Sequence, residues 1–200
     1  SVSNESRTKN IFFESSPYQF DSNFKRIKPD TLMIGYFQSV KYFQGNFDFI
    51  RDSFFGNFED FSRLTTIERI GLHMRRGDYL QQKTRHFHGL TSDQFFRNSA
   101  DILRSIWGDL EIDIFSDSPE LAKQMSLNIS NSMPFFDLNM EPLEIMESLA
   151  RRKYIIGSNS SFSWWASFVM PRKYGEVIFP VRWNNYFDVK ELKLDSWIQL

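Results

Sequence analysis

The chain contains no cysteine in its 200 residues, which excludes disulfide bridges, thiolate metal centres and a cysteine nucleophile. Neither sign of charge is in excess: 24 Lys and Arg stand against 25 Asp and Glu, a formal net charge of −1. Nothing global therefore draws the chain to nucleic acid or an acidic membrane, and any anion site must come from local clustering. No uninterrupted apolar run approaches the ~18 residues of a membrane-spanning helix. Neither a Walker loop, GxxxxGK, nor a dinucleotide fingerprint, GxGxxG, occurs. No secretory leader is visible and the first residue is Ser1 rather than methionine, so the expectation is a processed or excised piece of something longer.

What is present is a globular composition, 41% hydrophobic and 24% charged. Its 22 Phe and 5 Trp call for a large aromatic core. The first thirty residues are polar and turn-rich, with one short strand expected at Ile11–Phe13. "TLMIGYFQSVKYF" predicts a strand ending near Gly35, then an aromatic turn. Phe43 to Thr65 reads as helical with a break near Gly56. From Glu68 onward strands and helices alternate: "RIGLHM", a helix capped at Thr91 or Ser92, "LEIDIFSD", a helix opening at Ser118–Pro119, "EPLEIMESLARRK", "YIIGS", a helix from "SSFSWWASFVM" that Pro171 stops, and "EVIFPV". That alternation predicts a parallel α/β layer structure with a domain boundary near Ser62–Ile67: residues 1–65 as an irregular entry region and 66–200 as a Rossmann-like domain.

Open parallel sheets bind ligands beyond the carboxyl ends of their strands. Three polar clusters fall at such ends: His73–Asp78, Ser116–Asp117 and Ser158–Ser163. Arg75 and Arg76 offer forked, permanently charged donors matched to phosphate oxygens, with Lys83 and Arg85 close behind. Read alone, the same residues also fit a solvated basic turn with an internal Arg–Asp pair, and His73 also fits a core histidine. "GSNSSFSWWA" sets small hydroxyl residues between a strand and a helix start, where free N–H groups and the helix dipole favour an anion. Alone, it equally fits an ordinary serine cap over a Trp core. Together, two arginines and an amide cradle on one sheet edge suit a diphosphate, and without the nucleotide loops above they point to a nucleotide-sugar.

"HMRRGDY" followed by "SNSSFSWWA" resembles glycosyltransferase family 11, the α-1,2-fucosyltransferases, whose members carry H-x-R-R-x-D and N-S-S-F-S-W-W segments. "GYFQSVKYF" and "IFSD" resemble further family segments in the same order. The resemblance implies a GT-B-like architecture with GDP-fucose on the C-terminal, Rossmann-like domain. It implies inverting transfer to a galactose 2-hydroxyl of a glycan, with no metal and no cofactor. By position, Arg75 and Arg76 would neutralise the diphosphate, with Arg76 nearer the leaving oxygen, and His73 and Asp78 would shape that pocket. Ser116 and Asp117 would lie near the nucleotide. Asn159, Ser160, Ser161, Phe162 and Ser163 would supply amides and hydroxyls to phosphate or fucose, and Glu144 would meet guanine. Asp78 is the nearest candidate to take the acceptor's proton, unless departing phosphate takes it. Arg76→Ala is expected to keep the fold and cut turnover about a hundredfold or more.

The Gly-rich opening segment of that family does not occur here, which leads to the expectation of an incomplete N-terminal, acceptor-side domain. Competing readings are a GDP-fucose-binding remnant without transfer activity and a fucosyltransferase of another linkage. Glycosylation sequons stand at Asn4, Asn128 and Asn159. The last falls inside the cradle, which favours a bacterial cytoplasmic protein, peripherally membrane-associated at most, over a Golgi one.

Overall fold

The apolar run that ends in "GLHM" becomes the centre of a parallel sheet. In the computed structural model, residues 10–55, 66–135, 139–169, 175–187 and 189–200 are described. The chain divides into two units, one of residues up to Asn46 with Phe187–Leu194 and one of Phe47–Tyr186 with Asp195–Leu200.

In the first unit, β1 (Asn10–Phe13) pairs in parallel with β2 (Thr31–Ile34). Phe20, Phe24, Phe37 and Tyr42 pack as an aromatic cluster with ring centroids 4.8–6.3 Å apart. The Glu191 carboxylate ties this unit together by accepting from Phe20 N–H (2.6 Å) and Ser39 Oγ (3.0 Å).

The second unit opens with α1 (Phe47–Phe55). It continues through β3 (Ile67–Met74), α2 (Gln82–His88), α3 (Asp93–Trp107), β4 (Ile112–Ser116), α4 (Pro119–Asn128), β5 (Ser132–Pro134), α5 (Pro142–Ala150), β6 (Arg152–Ile156), α6 (Ser161–Val169), β7 (Val177–Phe179) and β8 (Ile198–Gln199). The six strands are all parallel, in the order β5-β4-β3-β6-β7-β8. The chain thus runs outward from β3 through β4 to β5, then crosses back to β6 and runs outward the other way. That is the Rossmann-type order, and its direction reverses between β3 and β6.

Alternation along β3 decides the two faces. Ile70, Leu72 and Met74 join Phe96, Ala100 and Leu103 of α3 and Ala122 and Met125 of α4 in one buried cluster. Phe96, Ala100 and Leu103 recur at the four- and three-residue steps that give a helix one apolar stripe. Ser92 caps α3 by accepting from Phe95 N–H (3.1 Å). On the opposite face a Cβ at Gly71 would stand 2.7 Å from Leu149 of α5, so the close seating of α5 needs a glycine there.

Within the described residues the expected strands form and so do the helices from Glu68 onward, while of the expected Phe43–Thr65 helix only α1 over Phe47–Phe55 is described; α2, β5 and β8 are among the short elements outside the sequence expectations. The "EPLEIMESLARRK" helix ends at Ala150, earlier than expected. Arg152 instead opens β6, because its Nε pairs with the buried Asp113 carboxylate of β4 at 2.7 Å. Gly56, most of the expected boundary at Ser62–Ile67, Asn4 and Pro171 lie outside the described residues. No described helix is long and apolar enough to cross a membrane.

Candidate functional site

The sequence clusters meet where the strand order reverses. β3 ends at Met74 and hands the chain to Arg75; β6 ends at Ile156 and hands it to Gly157. The two exits are joined directly, since Arg75 N–H donates to Ser158 Oγ (3.2 Å). Ser158 Oγ also lies 3.3 Å from His73 Nδ1. From β4, Asp117 closes the third side: it accepts from Arg76 N–H (2.8 Å) and pairs with the Arg75 guanidinium (2.9 Å). Gly77 is required by this arrangement, because a Cβ there would sit 2.3 Å from Asp117 Oδ2.

The two arginines are in different environments. The Arg75 side chain is 34% exposed and bridges Asp117 and Asp78, the latter at 2.7 Å. Its guanidinium lies over the Tyr79 ring at 5.7 Å. The Arg76 side chain is only 5% exposed and is consumed internally. It donates to Arg75 C=O (3.2 Å) and Thr91 C=O (3.1 Å), pairs with Asp93 (2.7 Å) and covers the Phe96 ring. Burial, opposed by the nearby Asp93 carboxylate, lowers its pKa from the ordinary arginine value. The expectation that Arg76→Ala keeps the fold is therefore revised: its removal unmakes a buried network that holds the segment from Arg75 to Asp93.

His73 is buried and its pKa is pushed down to about 3, first by burial and then by the Arg75 charge. It is a neutral imidazole, stacked on Phe162 at 5.1 Å, and adds no positive charge to the turn that follows. Asp78 is exposed on the turn Gly77–Leu80.

The segment 158–163 forms a tight cradle. Gly157 admits it, since a Cβ there would overlap the Phe179 ring at 2.2 Å. Asn159 is a clamp: its Oδ1 accepts from Thr91 Oγ1 (2.9 Å), and its Nδ2 donates to His88 C=O (2.8 Å) and Trp183 C=O (3.0 Å). Ser163 Oγ donates to the carbonyls of Ser158 and Ser160 (both 3.1 Å). The helical ladder of α6 begins with Trp164 N–H donating to Ser160 C=O (3.0 Å). The first-turn amides of Ser161, Phe162 and Ser163, with the exposed Ser161, are what this segment offers an anion. Ser160 is buried at the cap. Ser116 Oγ donates to Met74 C=O (2.7 Å) and accepts from Ser118 N–H (3.1 Å), fixing the β4 exit. Glu144 sits in the first turn of α5, where its carboxylate accepts from Glu141 N–H (2.7 Å). Among the described residues, no group of three or more His, Asp or Glu side chains is arranged to hold a metal ion.

An open-sheet switch point carrying a one-third exposed guanidinium and a helix entrance is chemically suited to an anion, and similarity to known proteins narrows the kind of protein. Residues 27–200 match the profile of glycosyl transferase family 11. The chain belongs to that family. It is similar to an alpha-1,2-colitosyltransferase of Escherichia coli, 28% identical over 203 residues, covering 94% of this chain and 68% of the relative. It is also similar to the O-antigen biosynthesis glycosyltransferase WbnK of Escherichia coli, 27% identical over 210 residues, covering 96% of this chain and 68% of that one. The family 11 chain is thus a glycosyltransferase, with a nucleotide-sugar as donor and a glycan as acceptor. In this glycosyltransferase the residues at the ends of β3, β4 and β6 converge, whereas the Glu144 carboxylate turns back to Glu141 N–H at the start of its own helix. Asp93, Tyr79 and Asn185 make structural bonds around these turns and were not singled out from sequence, and Thr91 was singled out only as a cap candidate; only their long-range partners mark these roles.

Proposed function

We propose that the chain binds GDP-fucose at this switch point and transfers its L-fucosyl group, with inversion, to the 2-hydroxyl of a galactose in a glycan. The bond from fucose C1 to the β-phosphate oxygen breaks and GDP departs with the electron pair. The galactose O2 forms the new bond to C1 and loses its proton, to Asp78 or to the departing diphosphate. Negative charge grows on the diphosphate as this happens, and preplaced donors that meet it lower the barrier. Arg75 supplies a forked cation and the α6 entrance supplies amides, so no metal is required of the step. An incoming phosphate oxygen competes with the exposed Asp78 for the Arg75 fork, while Asp117 stays held by Arg76 N–H.

The observation that carries this reading is the Arg75 N–H to Ser158 Oγ bond of 3.2 Å, which locks the cation-bearing and amide-bearing turns together. The α-1,2 linkage rests on the "SNSSFSWWA" resemblance and on the activity in one relative's name. That name also favours a second reading of the donor, a colitosyl nucleotide. The Escherichia coli relatives favour a bacterial, cytoplasmic setting over the Golgi. The test incubates the protein with GDP-fucose or its colitosyl counterpart and lactose, followed by linkage analysis. A 2-O-linked fucosyl product is expected. Another linkage or the other sugar refutes that part of the proposal, and GDP-fucose binding without transfer to any galactoside favours a binding remnant.

A further inference from the structure

The Arg75 guanidinium is held in two different ways. Asp78 (2.7 Å) and Asp117 (2.9 Å) pair with its terminal nitrogens. Tyr79 instead places its ring beneath the charge, with the guanidinium carbon 5.7 Å from the ring centroid. The difference matters to a ligand. An incoming anion competes with the carboxylates for the N–H fork, whereas the ring attracts the cation as a whole and stays in place when the fork changes partner.

Local backbone brings the two side chains together. Gly77–Leu80 is one tight turn, closed by Leu80 N–H donating to Arg76 C=O (3.1 Å) and Gln81 N–H donating to Asp78 C=O (3.0 Å). Residues four apart across a helical turn are neighbours, which sets Tyr79 beside Arg75. The half-buried Tyr79 ring is itself anchored. Its hydroxyl donates to Asn159 C=O (3.0 Å) in the cradle, and its ring stacks on His88 at 4.9 Å with the planes 14° apart. His88 ends α2, whose last carbonyls are bonded in turn. His86 C=O accepts from Asn185 Nδ2 (2.8 Å), Phe87 C=O from Asn185 N–H (3.0 Å) and His88 C=O from Asn159 Nδ2 (2.8 Å). The ring under Arg75 is therefore fixed both to the cradle and to α2.

We infer that Tyr79 is a positioning residue for Arg75: its ring keeps the guanidinium in place while an anionic ligand exchanges for the Asp78 carboxylate. The inference rests on the reading of Arg75 as a diphosphate donor given above. An arginine stem has many rotamers, and holding it in one of them before the ligand arrives removes part of the entropic cost of the contact. Tyr79 acts through Arg75 and not on the ligand. Its ring supports the guanidinium, and its hydroxyl serves the stability of the two turns.

The test is calorimetric titration with GDP on the wild type, Tyr79→Leu, Tyr79→Phe, Arg75→Ala and the Arg75→Ala/Tyr79→Leu double variant, each shown to be folded by scanning fluorimetry. Tyr79→Met is a second ring-free variant that takes the place of Tyr79→Leu should that protein not fold. Tyr79→Leu should weaken GDP binding about three- to fivefold. In the Arg75→Ala background the same change should alter affinity by less than about 1.5-fold, since a residue that acts through another then has nothing to act on. Tyr79→Phe keeps the ring and its stack on His88, so its affinity should stay within about 1.5-fold of the wild type while the lost bond to Asn159 shows as a lowered Tm. Equal weakening by Tyr79→Leu with and without Arg75 overturns the positioning role. So does a folded Tyr79→Leu protein that binds GDP as the wild type does. A Tyr79→Phe protein as weak as Tyr79→Leu assigns the effect to the hydroxyl and equally overturns the ring as support. In each of these outcomes a loss caused by Arg75→Ala leaves the diphosphate reading standing. An Arg75→Ala protein that binds GDP undiminished refutes the diphosphate reading itself, and the role of Tyr79 with it.

Discussion

Arg75 and Arg76 are adjacent in sequence, yet their replacement by alanine should give opposite phenotypes. Arg75 is one-third exposed and its two carboxylate partners are themselves solvated, with Asp78 47% and Asp117 25% exposed. Such pairs contribute about 0–1 kcal/mol each, so Arg75→Ala should cost about 1 kcal/mol of stability. For a chain of this size that lowers Tm by about 2–4 °C. Its effect on turnover is far larger: a preplaced donor to a developing anion is worth about 2–4 kcal/mol, or about 30- to 1,000-fold in rate. Arg76 is 5% exposed and its guanidinium is committed to two carbonyls and to Asp93. Removing it strands the buried Thr91 carbonyl and the packing over Phe96, while Asp93, 58% exposed, stays solvated; the cost is about 2–3 kcal/mol and should lower Tm by about 4–12 °C. The assays are differential scanning fluorimetry and initial rates at saturating donor, well below the transition of the weaker variant. A stable but active Arg75→Ala protein, or an Arg76→Ala protein as stable as the wild type, would refute this division of roles.

Asn159→Ala removes three hydrogen bonds, two of them buried and one partly buried, and should cost about 2–3 kcal/mol, read as a lowered Tm. Gly157→Ala drives a methyl group into the Phe179 ring, and chemical denaturation should show about 1–3 kcal/mol of lost stability. His73 has its folded-state pKa pushed down to about 3, so between that value and about 6.5 the unfolded chain binds the proton more readily. Its contribution to stability is full above about pH 6.5 and declines on acidification by about 1.4 kcal/mol per pH unit. Unfolding free energy should therefore fall by about 2 kcal/mol from pH 7 to pH 5, and a foldable His73→Gln protein should lack that part of the slope.

The sequence and the fold agree where a signal is local. Apolar runs flanked by turn residues marked β3, β4, β6 and β7, and Ser92 and Pro119 marked helix starts. Because all strands run parallel, the polar residue after each run falls on one edge, so the meeting of Arg75, Asp117 and Ser158 could be read before any coordinates. The short edge strands were not legible. β5 is three residues including Pro134, and β8 is two residues whose pairing comes only from β7. The helix α2 was illegible for a related reason, since the donors capping its carbonyls come from Asn159 and Asn185, far along the chain. The same limit applies within the site. Residue type alone did not separate Arg75 from Arg76, and the family resemblance put Arg76 nearer the leaving oxygen and gave Asn159 and Ser163 outward roles. Only the three-dimensional neighbours show that Arg76, Asn159 and Ser163 spend their polar atoms inward, which is why the proposal rests on Arg75 and the α6 amides.

The central claim is that Arg75 and the entrance to α6 together hold a nucleotide-sugar diphosphate. Titration calorimetry with GDP-fucose in chelator-containing buffer tests it most directly, on the wild type and on Arg75→Ala shown to be folded. The account predicts saturable one-to-one binding by the wild type and a loss of about tenfold or more in affinity without Arg75. Undiminished affinity in the folded variant, or no binding by the folded wild type, would contradict it.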